Sequence, residues 1–139
     1  MPRSKQKQAT SIFSKLGLMD IELTKITAEK LDVENDEKTI KSKKDVNYKI
    51  IKIDEKEVSI HLNVKIEFEP VSPFTVNSEF LLQYKIIEPV SEDEVIDNIE
   101  DLLYPCGNIV SLLVGLLSER MVGMPFVIPP VIEIKSKSN

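Results

Sequence analysis

Val58-Ser59-Ile60-His61-Leu62-Asn63-Val64-Lys65-Ile66-Glu67-Phe68 places an apolar side chain at every second position and a polar one between. Side chains alternate across a strand, so this run predicts a half-buried antiparallel strand with one core-facing row. Upstream, residues 46–53 are rich in β-branched side chains, and Asp54, Glu55, Lys56 and Glu57 link the two runs as a polar hairpin turn. Downstream, Pro70 and Pro73 end the strand, because proline cannot donate to a sheet ladder. A further strand is expected over 76–87, with Val76, Phe80, Leu82, Tyr84 and Ile86 on one face and Leu81 and Ile87 on the other.

Working towards the N-terminus, residues 28–45 mix charges of both signs and read as a solvated connection. Before it, Leu16 and Leu18 alternate with polar or small residues, and Met19, Ile21 and Leu23 do the same one step out of phase. That phase shift predicts a first strand with a β-bulge at Gly17, Leu18 and Met19. Residues 1–14 are polar and basic and read as a flexible tail.

Towards the C-terminus, Ser91 followed by Glu94 fits a capping box, and Glu92 and Asp93 suit the positive end of a helix dipole. Val95, Ile96, Ile99, Leu102 and Leu103 supply its apolar stripe before Pro105 and Gly107 interrupt it. A second helix is expected over 108–120. Its Ile109, Val110, Leu112, Leu113, Val114, Leu116 and Leu117 cover almost the whole circumference. A helix apolar all round must be covered on every side. One four-stranded sheet covers one side, so a second copy or the chain's own tail has to cover the rest. The first option makes Ile109, Leu112, Leu113, Leu116 and Leu117 an oligomer interface, where Gly115 permits close approach.

Residues 121–132 are apolar and interrupted by Pro125, Pro129 and Pro130, which forbid a regular helix and leave an extended arm. The arm either packs along its own sheet or an interface, or forms one wall of a groove for non-native chains. In the groove reading Met121 and Met124 adapt to varied partners. The expected organisation is therefore α+β: a tail over 1–14, one domain over 15–134 and a short tail over 135–139. The domain holds a four-stranded antiparallel sheet, a helical segment packed on one face, and an extended proline-containing C-terminal arm.

Composition excludes much. The formal charge is −5, and the basic residues form no stripe, which argues against nucleic acid as the main partner. No apolar run reaches membrane-spanning length, and the N-terminal stretch lacks the apolar centre of a signal peptide, so the cytoplasm is the expected address. A single cysteine, Cys106, fits a reducing compartment. With one histidine and one cysteine, no familiar zinc site can be built in one chain. His61 lies on the polar face of its strand, and Cys106 has no local base. The four glycines do not cluster into a phosphate-binding loop. No catalytic residue, metal or cofactor is expected. The acidic run Glu92, Asp93, Glu94, Asp97, Glu100 and Asp101 is either a solvated helix start or a docking surface for a basic partner.

The order of elements, with Tyr104-Pro105-Cys106, an apolar helix, and Gly123-Met124-Pro125-Phe126-Val127-Ile128-Pro129-Pro130-Val131, resembles the SecB family of protein-export chaperones. Tyr104-Pro105-Cys106 is similar to that family's Tyr-Cys-Pro with the last two residues exchanged, and the arm is similar to its Gly-Phe-Pro-Pro segment. The resemblance implies an ATP-independent holdase for unfolded or extended polypeptides. It also implies a homo-oligomer, dimeric or tetrameric, with the SecA translocase motor as a further partner. Client contacts are expected at Leu16, Leu18, Met121, Met124, Phe126, Val127 and Ile128. The chain stops soon after the arm, so no counterpart of the family's final helix is expected. The polar row His61, Asn63, Lys65 and Glu67 is mixed where SecA docking calls for acid. The alternative is a structural or adaptor protein of the same fold dedicated to one fixed partner, such as a toxin–antitoxin chaperone.

Overall fold

A computed structural model describes residues 11–31, 41–69 and 72–134. Four long strands, β1 (Leu16–Lys30), β2 (Lys41–Ile53), β3 (Glu57–Glu69) and β4 (Phe74–Ile86), form one antiparallel sheet in the order β1-β4-β3-β2. Three helices follow: α1 (Glu92–Asp97), α2 (Ile99–Leu103) and α3 (Pro105–Val122). Residues 123–134 then run as an arm without regular structure.

Register explains the core. The apolar row of β3 faces that of β4 through Val58↔Tyr84, Ile60↔Leu82, Leu62↔Phe80 and Ile66↔Val76. All of these side chains are buried. The edge strands continue the same face, β2 through Val46, Tyr48 and Ile50, and β1 through Leu16, Leu18, Ile21, Leu23 and Ile26. Burial falls towards β1, where Leu18, Leu23 and Ile26 are exposed. The expected bulge is present as a register shift between Leu18 and Asp20, and a second follows between Leu23 and Lys25.

The β2–β3 hairpin closes as its sequence suggests. The Asp54 carboxylate accepts from the backbone N–H groups of Lys56 and Glu57, an Asx-type turn. Ser91 and Glu94 complete a reciprocal capping box at α1. Tyr84, fully buried, donates its hydroxyl to the Leu102 carbonyl and pins α2 to the sheet.

Several expectations need correction. Residues 28–30 close β1 and residues 41–45 open β2, so the solvated connection is shorter than 28–45. Mixed charge misled because both are edge strands, whose outer face meets water. The expected first helix breaks at Asn98 into α1 and α2. Pro105 opens α3 instead of interrupting it, since the first turn of a helix needs no N–H from that residue. Ile87 lies beyond the end of β4 and is exposed. Ile12–Ser14, placed within the N-terminal tail, is a 3-10 turn with Ile12 buried. Pro70, the rest of that tail and the C-terminal tail lie outside the described residues.

Candidate functional site

The surface around α3 is built from two flanks of different character. Cys106, Val110, Val114 and Ser118 recur at helical spacing and face the sheet, fully buried. Gly123 ends the helix at φ 90°, a left-handed conformation that glycine adopts without a Cβ clash, and turns the chain back along α3. The arm that follows is held by side chains from three elements. Phe126 N–H donates to Ser118 Oγ at 2.7 Å, and Ser111 Oγ donates to the Ile128 carbonyl at 2.9 Å. From β2, Lys44 Nζ donates to the carbonyls of Pro129 (3.1 Å) and Val131 (2.7 Å). Glu100 of α2 accepts from Ile134 N–H at 2.8 Å.

Phe126, Ile128 and Ile132 of the arm turn inward. The Phe126 ring meets Phe68 edge-on at 4.8 Å and Phe74 at 6.2 Å. Ile128 and Ile132 are buried in the core. The residues between them, 127 and 129–131, point out, with Val127 87 % exposed, and Met124 ahead of them is 57 % exposed. Gly107 admits this path, for a Cβ there would come within 2.4 Å of the Pro130 carbonyl oxygen. Beside the arm an open cavity of about 470 Å³ is lined by Ser42, Lys44, Glu100, Pro129, Val131, Glu133 and Ile134. Burial lowers the pKa of Lys44 from the ordinary lysine value, and the Glu133 carboxylate partly offsets this.

On the solvent side of α3, Leu112 is 71 % exposed and Leu116 50 %, while Ile109, Leu113 and Leu117 are half-buried. The β1 edge adds Leu18, Met19, Leu23 and Ile26 to the exposed apolar surface. Of the expected client contacts, Leu18, Met124 and Val127 are thus exposed, and Met121 and Phe126 are half-buried. Leu16 and Ile128 are corrections. They are 0 % and 1 % exposed, packed in this chain's own core, and cannot touch a partner in this conformation.

Ser111, Ser118 and Lys44, which position the arm, were not singled out by sequence reasoning, and Glu100 was named only within the acidic run, not as a fastening of the arm. Two serines seven residues apart on an otherwise apolar helix share a face and were the available signal. Lys44 sits in a charged stretch that gave none.

Among the described residues, the two candidate reactive groups lie apart, Cys106 in the core and His61 on the outer face of the sheet. The Cys106 thiol is buried and its pKa pushed up to about 12 by that burial, far from a reactive thiolate. His61 Nε2 lies 3.1 Å from Glu79 Oε1 across the outer face of the sheet. Within the acidic run, Glu94 is engaged by Lys15 at 2.5 Å, and Glu100 by the arm. Among the described residues no group of three or more His, Cys, Asp or Glu could hold a metal ion. None of the described helices is long and apolar enough to cross a membrane.

A four-stranded antiparallel sheet carrying one long helix and a returning arm on a single face defines an α+β fold of the SecB-like class. Among solved structures, a SecB-like chaperone of Mycobacterium tuberculosis, in complex with a ChAD peptide from the HigA1 antitoxin, superposes with a TM-score of 0.67. It is 13 % identical, and the match covers 88 % of this chain and 93 % of that one. A protein of unknown function from Streptococcus agalactiae, 23 % identical, matches 86 % of this chain and 98 % of its own with a TM-score of 0.45. No protein-family model and no curated protein matches the chain. The likeness is one of fold: the chain has a SecB-like fold.

Proposed function

We propose that the protein is a homo-oligomeric, ATP-independent chaperone that holds extended or unfolded polypeptides in the cytoplasm. The observation that carries this is the apolar surface around α3 and the arm, where Leu112, Leu116, Met124 and Val127 are each at least half exposed. Large apolar patches on a soluble chain mark interaction sites. Here the patch is divided between two tasks. Ile109, Leu112, Leu113, Leu116 and Leu117 of α3 serve self-association. Leu18 and Met121 serve bound clients, and Met124 and Val127, exposed on the seated arm, serve the first encounter, with affinity from burial at about 25 cal/mol per Å² before ordering costs.

The test is suppression of aggregation of a chemically denatured client by the native protein without nucleotide, at near-stoichiometric ratios. Suppression that a Leu18→Ser/Met121→Ser double variant loses, while keeping its far-UV spectrum, supports the reading. A well-folded wild type that fails to suppress would sink it.

A second reading, an adaptor dedicated to one partner, draws on the neighbouring fold having been seen with an antitoxin peptide. An adaptor in its resting complex would not bind a hydrophobic dye, whereas a free holdase would. Export and SecA docking are not included in the proposal. The outer face of the sheet carries Lys43, Lys49, Lys65 and Lys85 among its acids, a mixed surface where a basic partner is best matched by acid.

A further inference from the structure

We infer that the C-terminal arm is a displaceable strap, an internal occupant of a seat that an extended apolar segment of another polypeptide takes over. The inference rests on the holdase reading and concerns how its surface is regulated.

The arm is bound as a peptide ligand would be. Phe126, Ile128 and Ile132, spaced by two and then four residues, fill apolar positions, and the residues between them face solvent. Among the described residues, none of its backbone groups pairs with another backbone group beyond Gly123. Its fastenings are side chains reaching for its peptide groups, with Lys44 on two carbonyls and Ser118 on the Phe126 N–H. Contacts of this kind read an extended main chain and accept any sequence that supplies apolar groups at matching positions. A ladder strand is locked by a continuous row of bonds, whereas a strap held at separated points can open locally while the sheet stays closed. The open cavity beside Lys44 and Glu100 leaves room for an incoming chain to start the exchange.

A seat blocked by its own arm binds clients with an affinity reduced by the fraction of time it is free. Weakening the arm without touching the seat therefore strengthens client binding. Phe126→Ala does this: it removes the arm's ring and leaves Phe68 and Phe74 in place. If the arm were simply a wall that clients touch, the same substitution would weaken binding.

The experiment is hydrogen exchange by NMR on the full chain, with and without reduced, carboxymethylated α-lactalbumin, together with client affinity for wild type and Phe126→Ala. We expect the Phe126 amide to exchange at least about tenfold faster when client is bound, with the Ile60 and Leu62 amides of β3 unchanged. Client should bind Phe126→Ala several-fold more tightly. Bound client with unchanged or slowed Phe126 exchange, or weaker binding by the variant, overturns the strap. Absence of any client binding sinks the holdase reading instead, and the free protein then decides. A Phe126 amide exchanging far faster than β3 keeps the strap, and one exchanging only at the β3 rate removes it.

Discussion

A methyl group added at Gly107 would lie 2.4 Å from the Pro130 carbonyl oxygen and 2.8 Å from its carbon, whereas one added at Gly115 would find its nearest heavy atom, the Phe126 carbonyl oxygen, at 3.8 Å. Both glycines are helical, so alanine at either contributes up to about 1 kcal/mol of propensity. Only at Gly107 does backbone have to move against backbone, a strain of about 1–3 kcal/mol that outweighs the gain. Gly115→Ala should therefore raise the urea midpoint and Gly107→Ala lower it, with the arm loosened in the second. Tyr84→Phe belongs to the same scale. It removes a fully buried donor from the Leu102 carbonyl and should cost about 1–2 kcal/mol in chemical denaturation. A neutral Tyr84→Phe would mean that α2 does not depend on this bond for its seat.

At the scale of elements, α1 is a short helix that depends on its ends. Its capping box is extended by an ion pair to Lys15, at the foot of β1. Lys15, then the Ser91 backbone N–H, lowers the Glu94 pKa from its ordinary value. The folded chain thus takes up this proton less readily than the unfolded chain. Its contribution is complete above the ordinary glutamate range and is lost as pH falls through that range towards the folded value. Ser91→Ala should cost about 1 kcal/mol at neutral pH. Unfolding curves of wild type and Glu94→Gln should converge on acidification, and a gap that stays constant to pH 3 would refute the ion pair's role. The elements differ in how legible they were. β3, β4, the Asp54 turn and the capping box were readable because periodicity and turn chemistry are local. The outer halves of β1 and β2 were not, because an edge strand with one wet face carries as much charge as a loop. In the arm, alternation was hidden by a run apolar on both faces. Nothing in Phe126-Val127-Ile128 says that the middle residue faces water while Ile128 is buried.

For the whole molecule, the question is what covers α3. Leu112 and Leu116 leave its solvent side apolar, and a second copy is the proposed cover. A Leu112→Glu/Leu116→Glu variant should sediment at a lower mass than wild type with its far-UV spectrum intact. A wild type that is already monomeric at tens of micromolar would remove the oligomer from the proposal. The sheet order has a consequence for how the chain is made. β1, fifteen residues long, has β4 as its ladder partner, with all of β2 and β3 lying between them in sequence. During vectorial synthesis the β2–β3 hairpin, closed by its local turn, can form as soon as it clears the ribosome. β1 emerged earlier and must wait, its peptide groups unpaired and Leu16 and Ile21 uncovered, until β4 arrives. A nascent chain paused before Phe74 is therefore itself an extended apolar polypeptide, the same kind of client the finished protein is proposed to hold.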